Sequence, residues 1–208
     1  MKLSERLSQS PYFFKGSNSV FFDWFLKLVY SRKVKKGEFI VEEGEICDKL
    51  YYIEKGLVRI YRLEGDKEIT TWFTKEGDFV TTVNSFHSGL PSKEYFEAIE
   101  DSVIYYITKK SYLYLVELSS NFAKFSMDEL LTNLCEYQNQ CEFLRTLSAQ
   151  DRLKYIENKY PYLLTRVKQK YLCSFLNIEA TYLSKLMKFA NYLPALRGHQ
   201  QWAGGEWL

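Results

Sequence analysis

Histidine is scarce in this chain of 208 residues, which has two, His87 and His199. A catalytic metal held by several imidazoles, as in a cupin-type enzyme, is therefore not expected. Cysteine is nearly as sparse. Cys47, Cys135, Cys141 and Cys173 are scattered, and no pair has the short spacing of a zinc or iron–sulfur loop. They read as reduced thiols of a cytoplasmic protein, with no metal site. No cysteine precedes Cys47, which argues against an oxygen-sensing cluster near the N-terminus. His87 lies near a turn and is a poor haem ligand. The phosphate loop, the strained serine elbow and the two-histidine metalloprotease helix are all missing, so nothing marks an enzyme. No apolar run is long enough to span a bilayer. Met1-Lys2-Leu3-Ser4-Glu5-Arg6 lacks the apolar core of a secretory signal.

Aromatic side chains, in contrast, are plentiful, with 17 Tyr and 15 Phe. Such rings suit half-buried strands and small cores. The net charge is only +2 but unevenly spread. From Ser148 onward there are nine Lys or Arg against four Asp or Glu, a balance of +5 that leaves −3 for the rest. A basic C-terminal third behind an acidic front fits a separate nucleic-acid-binding domain. A merely solvated basic face would show the same balance.

The hydrophobic pattern changes twice along the chain. Val20, Phe21, Trp24, Phe25, Leu28 and Val29 recur at helical spacing, predicting a short amphipathic helix within Phe13 to Tyr30. Glycines then punctuate short β-branched and aromatic runs. These are Phe39–Val41, Leu50–Ile53, Leu57–Tyr61, Ile69–Phe73, Tyr95–Ile99 and Val103–Ile107. The spacing predicts an all-β sandwich or barrel, with turn tips at Gly65-Asp66 and Gly77-Asp78.

Past Ser111 the helical period returns. Met127, Leu130, Leu134, Tyr137, Cys141 and Leu144 alternate at steps of three and four, on one long helix from about Asn121 to Thr146. The stripe is either a helix packed on its own domain or, as its narrowness favours, a coiled-coil seam between two subunits. Asp128 and Glu129 near its start and Arg145 at its end suit the helix dipole. Ser148 with Asp151 marks a new helix start, and Pro161 its end. A helix through Gln169–Leu176, a corner at Asn177 and a third helix from Glu179 to about Lys188 frame a helix-turn-helix. Leu183 and Leu186 then face the core. Ala180 and Thr181 face outward towards base edges, with Ser184, Lys185 and Lys188 towards phosphate and Gln169 beside them. An ordinary amphipathic helix with a solvated basic face would look alike.

Three motifs stand in order. They are Lys36-Gly37-Glu38-Phe39-Ile40-Val41-Glu42-Glu43-Gly44-Glu45 with Leu50-Tyr51-Tyr52-Ile53-Glu54-Lys55-Gly56-Leu57-Val58-Arg59-Ile60-Tyr61, then Gln169–Ile178, then Thr181-Tyr182-Leu183-Ser184-Lys185. In this order they resemble the Crp/Fnr family of transcription regulators over most of the chain, about Phe13 to Lys188. The resemblance implies an α+β fold. An N-terminal jelly-roll-like β-roll sensor of the cyclic-nucleotide-binding type would fill 1–118. A long dimerisation helix would fill 119–147, and a C-terminal helix-turn-helix of winged-helix type 148–208. It also implies a homodimer on double-stranded DNA with a palindromic operator, a small ligand in the roll, and RNA polymerase as a further candidate partner.

A cyclic nucleotide is the family's candidate ligand, and the chain departs from the motif that binds it. Family members that bind cAMP follow Gly-Asp-Phe with Gly-Glu, whose acid holds the ribose, and carry an Arg-Ser pair that cradles the phosphate. In this chain Gly77-Asp78-Phe79-Val80 is followed by Thr81 and Thr82, and Ser92 stands at the arginine position beside Lys93. The expected pocket is lined by Thr81, Thr82, Ser92 and Lys93, and takes a ligand other than cAMP or none. Residues 189–208 show no alternation that would form a wing. They leave open a protein-docking adaptor, with Trp202 and Trp207 as anchors.

Overall fold

The computed structural model describes residues 2–12 and 19–187. Helices α1 (Leu3–Ser8) and α2 (Ser19–Leu28) lead into β1 (Tyr30–Val34), β2 (Phe39–Val41), β3 (Lys49–Lys55), β4 (Val58–Glu64), β5 (Lys67–Thr74) and β6 (Phe79–Val80). A short helix α3 (Val83–Ser88) precedes β7 (Tyr95–Ala98) and β8 (Ser102–Thr108). Then follow α4 (Lys109–Leu118), α5 (Ser120–Thr146), α6 (Ala149–Lys159), α7 (Tyr162–Arg166), α8 (Gln169–Leu176) and a helical stretch over 180–187. This is the α+β architecture that the sequence implies. Residues 189–208, where the sequence shows no wing pattern, and Lys188 lie outside the described residues. The chain divides into two compact units, 1–142 and 143–208.

In the first unit two four-stranded sheets, ordered β1-β8-β3-β6 and β2-β7-β4-β5, form the roll. Every strand pairing is antiparallel. Alternate residues point inward. Val34, Tyr51, Ile53 and Ile104 from one sheet meet Ile40, Val58, Ile60, Phe96 and Ala98 from the other, with Cys47 among them. Each such burial stabilises by about 1.5–3 kcal/mol for a larger apolar side chain. Gly56, between β3 and β4, has φ +104°, and a Cβ there would lie 2.1 Å from Ser102 Oγ and 2.8 Å from its Cα. Only glycine fits both the backbone and the space.

Arg59 alternates with Val58 and Ile60, so it sits on the other face of its sheet, yet it is 1% exposed. Its Nε donates to Thr70 Oγ1 (2.9 Å), and its Nη1 donates to Glu68 (2.7 Å) and Glu97 (3.3 Å). The guanidinium also stacks 4.2 Å from the Tyr61 ring centre. This full set of partners makes a buried cation tolerable.

A second core gathers Leu3, Leu7, Phe25, Tyr52, Ile107, Leu115, Phe122 and Phe125. It packs α1, α2, α4 and the start of α5 onto the outside of the first sheet. Here the dipole reading of Asp128 and Glu129 needs correction. Helix α5 begins at Ser120, so both acids lie beyond its first turn, where the dipole has faded. Glu129 instead pairs with Arg6 of α1. Arg145 does fall in the last turn.

In the second unit Ser148 caps α6, its Oγ accepting from the Asp151 N–H at 3.2 Å. Helix α6 ends at Lys159, just before Pro161. Arg152 Nη1 donates to the Leu176 carbonyl (2.6 Å) and ties α6 to the end of α8. Leu153, Ile156, Leu163, Leu172, Phe175, Leu176 and Leu183 are buried around that tie.

Candidate nucleic-acid interface and sensor pocket

The corner between α8 and the next helix is made by Asn177, at φ 51° and ψ 53°, the one described non-glycine residue with positive φ. Asparagine tolerates this left-handed conformation better than most residues. The Ile178 N–H donates back to the Cys173 carbonyl (3.0 Å), which closes the end of α8. The chain then re-enters helix at residue 180, with Leu183 fully buried. Ala180, Thr181 and Lys185 are exposed, as is Gln169 at the start of α8. Gln169 and Ser184 meet: Gln169 Nε2 donates to Ser184 Oγ (2.8 Å), and Ser184 Oγ donates to the Ala180 carbonyl (2.9 Å). The two helices are thus pinned at one flank. Tyr182 is also exposed, at 47%, and the sequence reading passed over it. Its place one step before buried Leu183, about 100° around the helix, was the available signal.

Along α5 the predicted stripe lies open in the single chain. Met127, Leu130, Leu134, Tyr137 and Leu144 are all exposed, and Cys141 is half-buried. Leu131 is a further apolar residue on this surface, exposed at 50%. Gln140, between Tyr137 and Cys141, donates to the Thr71 carbonyl of β5 (2.7 Å). One side of α5 therefore touches the roll while its leucines are half open to solvent, and covering each would gain about 1 kcal/mol.

In the roll, Thr81 and Thr82 lie between β6 and α3, and Ser92 and Lys93 precede β7. Thr81 donates to the Lys49 carbonyl (2.8 Å) and its oxygen lies 3.7 Å from Cys47 Sγ. Thr82 is buried, and its hydroxyl has no hydrogen-bond partner among the described residues. Ser92 is buried too, and its bonds stay within its own surroundings. Its hydroxyl donates to the Glu94 carbonyl (3.0 Å) and accepts from the Glu94 N–H (2.9 Å), and its N–H donates to the Glu45 carbonyl (2.8 Å). Lys93 is exposed. Burial raises the Glu94 carboxyl above its ordinary pKa, with Arg62 opposing.

A cyclic phosphate needs a forked cation and free N–H donors. These residues offer a lone exposed ammonium, a neighbouring carboxyl and an N–H already bonded. These four side chains do not supply the forked cation that a cyclic phosphate takes.

Comparison with known proteins places the roll in a family. Residues 31–118 match the model of the cyclic nucleotide-binding domain. The cAMP-activated global transcriptional regulator CRP of Pasteurella multocida is 24% identical over 132 residues, covering 63% of either chain. That of Salmonella typhimurium is 26% identical over 98 residues, covering 47% of either. The chain thus spans about half to just under two thirds of the curated relatives it matches. Among solved structures, FixK2 from Bradyrhizobium japonicum superposes with a TM-score of 0.66 at 17% identity, covering 85% of this chain and 89% of that one. The c-di-GMP-responsive global regulator CLP of Xanthomonas campestris does so at 0.66 and 17%, covering 84% and 92%. The N-terminal part is therefore a domain of the cyclic nucleotide-binding type. Over most of its length the chain has the fold of FixK2 and CLP, in keeping with the Crp/Fnr resemblance of its motifs.

Proposed function

We propose that this chain is a dimeric, sequence-specific DNA-binding transcription regulator, and that its roll answers to a small ligand other than cAMP. On this reading 1–118 form the sensor, 119–147 the dimerisation helix and 148–208 the DNA-binding domain, in a protein of the cytoplasm. RNA polymerase is a further partner of such a regulator. The observation that carries the reading is the second unit's corner. A left-handed Asn177 separates α8 from a helix whose Leu183 is buried while Thr181 and Lys185 face outward. Such a helix suits the major groove, its first turn at base edges and its lysine at phosphate. The exposed leucines of α5 supply a seam for a second copy. A dimer would carry two reading helices, set for half-sites about 10 base pairs apart. A ligand would act by shifting the population of dimer geometries. The internally bonded Ser92 loop disfavours a phosphate at that position, and the c-di-GMP-responsive CLP is a precedent for an input other than cAMP on this fold.

Selection of bound sequences from a random DNA pool by the full chain tests the proposal. Recovery of a two-fold symmetric site is the expected result. Failure of folded protein to enrich any sequence contradicts it and favours a protein-docking adaptor.

A further inference from the structure

The first turn of the 180–187 helix carries Ala180, Thr181 and Tyr182, all exposed. None is a guanidinium, an ammonium or an amide, the groups that grip guanine and adenine with paired hydrogen bonds. They present a methyl group, a methyl beside a hydroxyl, and a phenol ring 47% open to solvent. Glu179, just ahead of them, is exposed and can only accept.

The rest of the helix is committed elsewhere. Ser184 gives its one O–H to the Ala180 carbonyl and receives Gln169, so it holds the helix in place and has no proton left for a phosphate. Lys185 is a flexible point charge suited to the DNA backbone. Leu183 is buried, so Tyr182 stands on one flank of the helix and Ser184, pinned to Gln169, on the other.

We infer that this turn reads thymine through its 5-methyl group, and that Tyr182 is the specificity-determining residue. The inference rests on the DNA-binding reading above. In the major groove thymine alone offers a methyl, and apolar side chains are what recognise it. A ring packed on that methyl removes it from water, which is worth about fourfold in affinity per half-site. Thr181, one step around the helix, borders the ring, while Ala180 lies on the Ser184 flank. The tyrosine hydroxyl has no part in the contact.

The test uses the full chain and the operator recovered from a random DNA pool. Each thymine is replaced in turn by deoxyuridine, which deletes only the methyl. One position per half-site should weaken binding about fourfold. Tyr182→Ala should bind the thymine and uracil versions of that position equally, while Tyr182→Phe should keep the preference. Tyr182 is exposed, so neither variant disturbs a core. Equal binding of every uracil operator by the natural chain overturns the inference, as does a preference that survives Tyr182→Ala. Those outcomes leave DNA binding intact. Absence of any recovered operator overturns the DNA-binding reading itself, and this inference with it.

Discussion

The roll and the helix-turn-helix have kept different things. In the roll the residues that shape the backbone are in place: Gly56 against Ser102, Gly65 and Gly77 at turns, and the two-sheet core. At its candidate pocket the Ser92 hydroxyl is bonded within its own turn, to Glu94. In the second unit the corner at Asn177 and the buried Leu183 persist together with an outward polar and basic face. A fold outlasts a ligand because packing and φ are local demands on each position. Ligand chemistry depends on a few side chains that the fold does not need.

Substitutions in each region should separate the two. The largest effect is expected at Gly56→Ala, where the new Cβ meets Ser102 and φ is +104°. It should cost about 3 kcal/mol or more, read as an earlier denaturation midpoint of the roll. Lys185→Glu should leave that midpoint unchanged and lower operator affinity by roughly a hundredfold, because each half-site exchanges a phosphate contact for repulsion. Unchanged affinity, measured by fluorescence anisotropy, removes the helix from the groove. Leu134→Glu places a charge in the exposed stripe of α5 and should shift the dimer towards monomer on gel filtration. A persistent dimer would show the seam to be misassigned.

The smallest effect is at Glu94. Its carboxyl is raised in pKa by burial, so folded protein holds that proton to higher pH than unfolded protein does. The stability it contributes is full below the ordinary value of 4.5 and is lost as pH rises through the folded value. Glu94→Gln cannot suffer that loss. It should be slightly more stable than the natural chain at neutral pH, with the gap closing in acid. Denaturant midpoints on both sides of pH 4.5 check this.

Much of the architecture was legible because periodicity is strong where one face is buried. The runs at Phe39, Leu50, Leu57, Ile69, Tyr95 and Val103 all became strands, and Asn177 made the corner it was assigned. Strand β1 was not legible. Tyr30-Ser31-Arg32-Lys33 is exposed throughout, so no apolar alternation marks it, and only pairing with β8 makes it a strand. Helix α3 was missed because its six residues are too few to show a period. Helix α5 was legible from about Asn121 to Thr146 against the observed Ser120–Thr146, although Phe122 and Phe125 belong to the roll's second core and not to the later stripe. At the pocket, sequence alone revealed the missing acid and arginine. That Ser92 is bonded to Glu94 could be seen only in three dimensions.

The claim that DNA binding has been separated from cyclic-nucleotide sensing is tested most directly by one titration. The recovered operator is bound by the full chain, with and without cAMP, and followed by fluorescence anisotropy. The account predicts the same affinity in both. A tenfold or greater rise in affinity with cAMP would contradict it, and would mean that the Thr82 and Ser92 pocket holds the nucleotide after all.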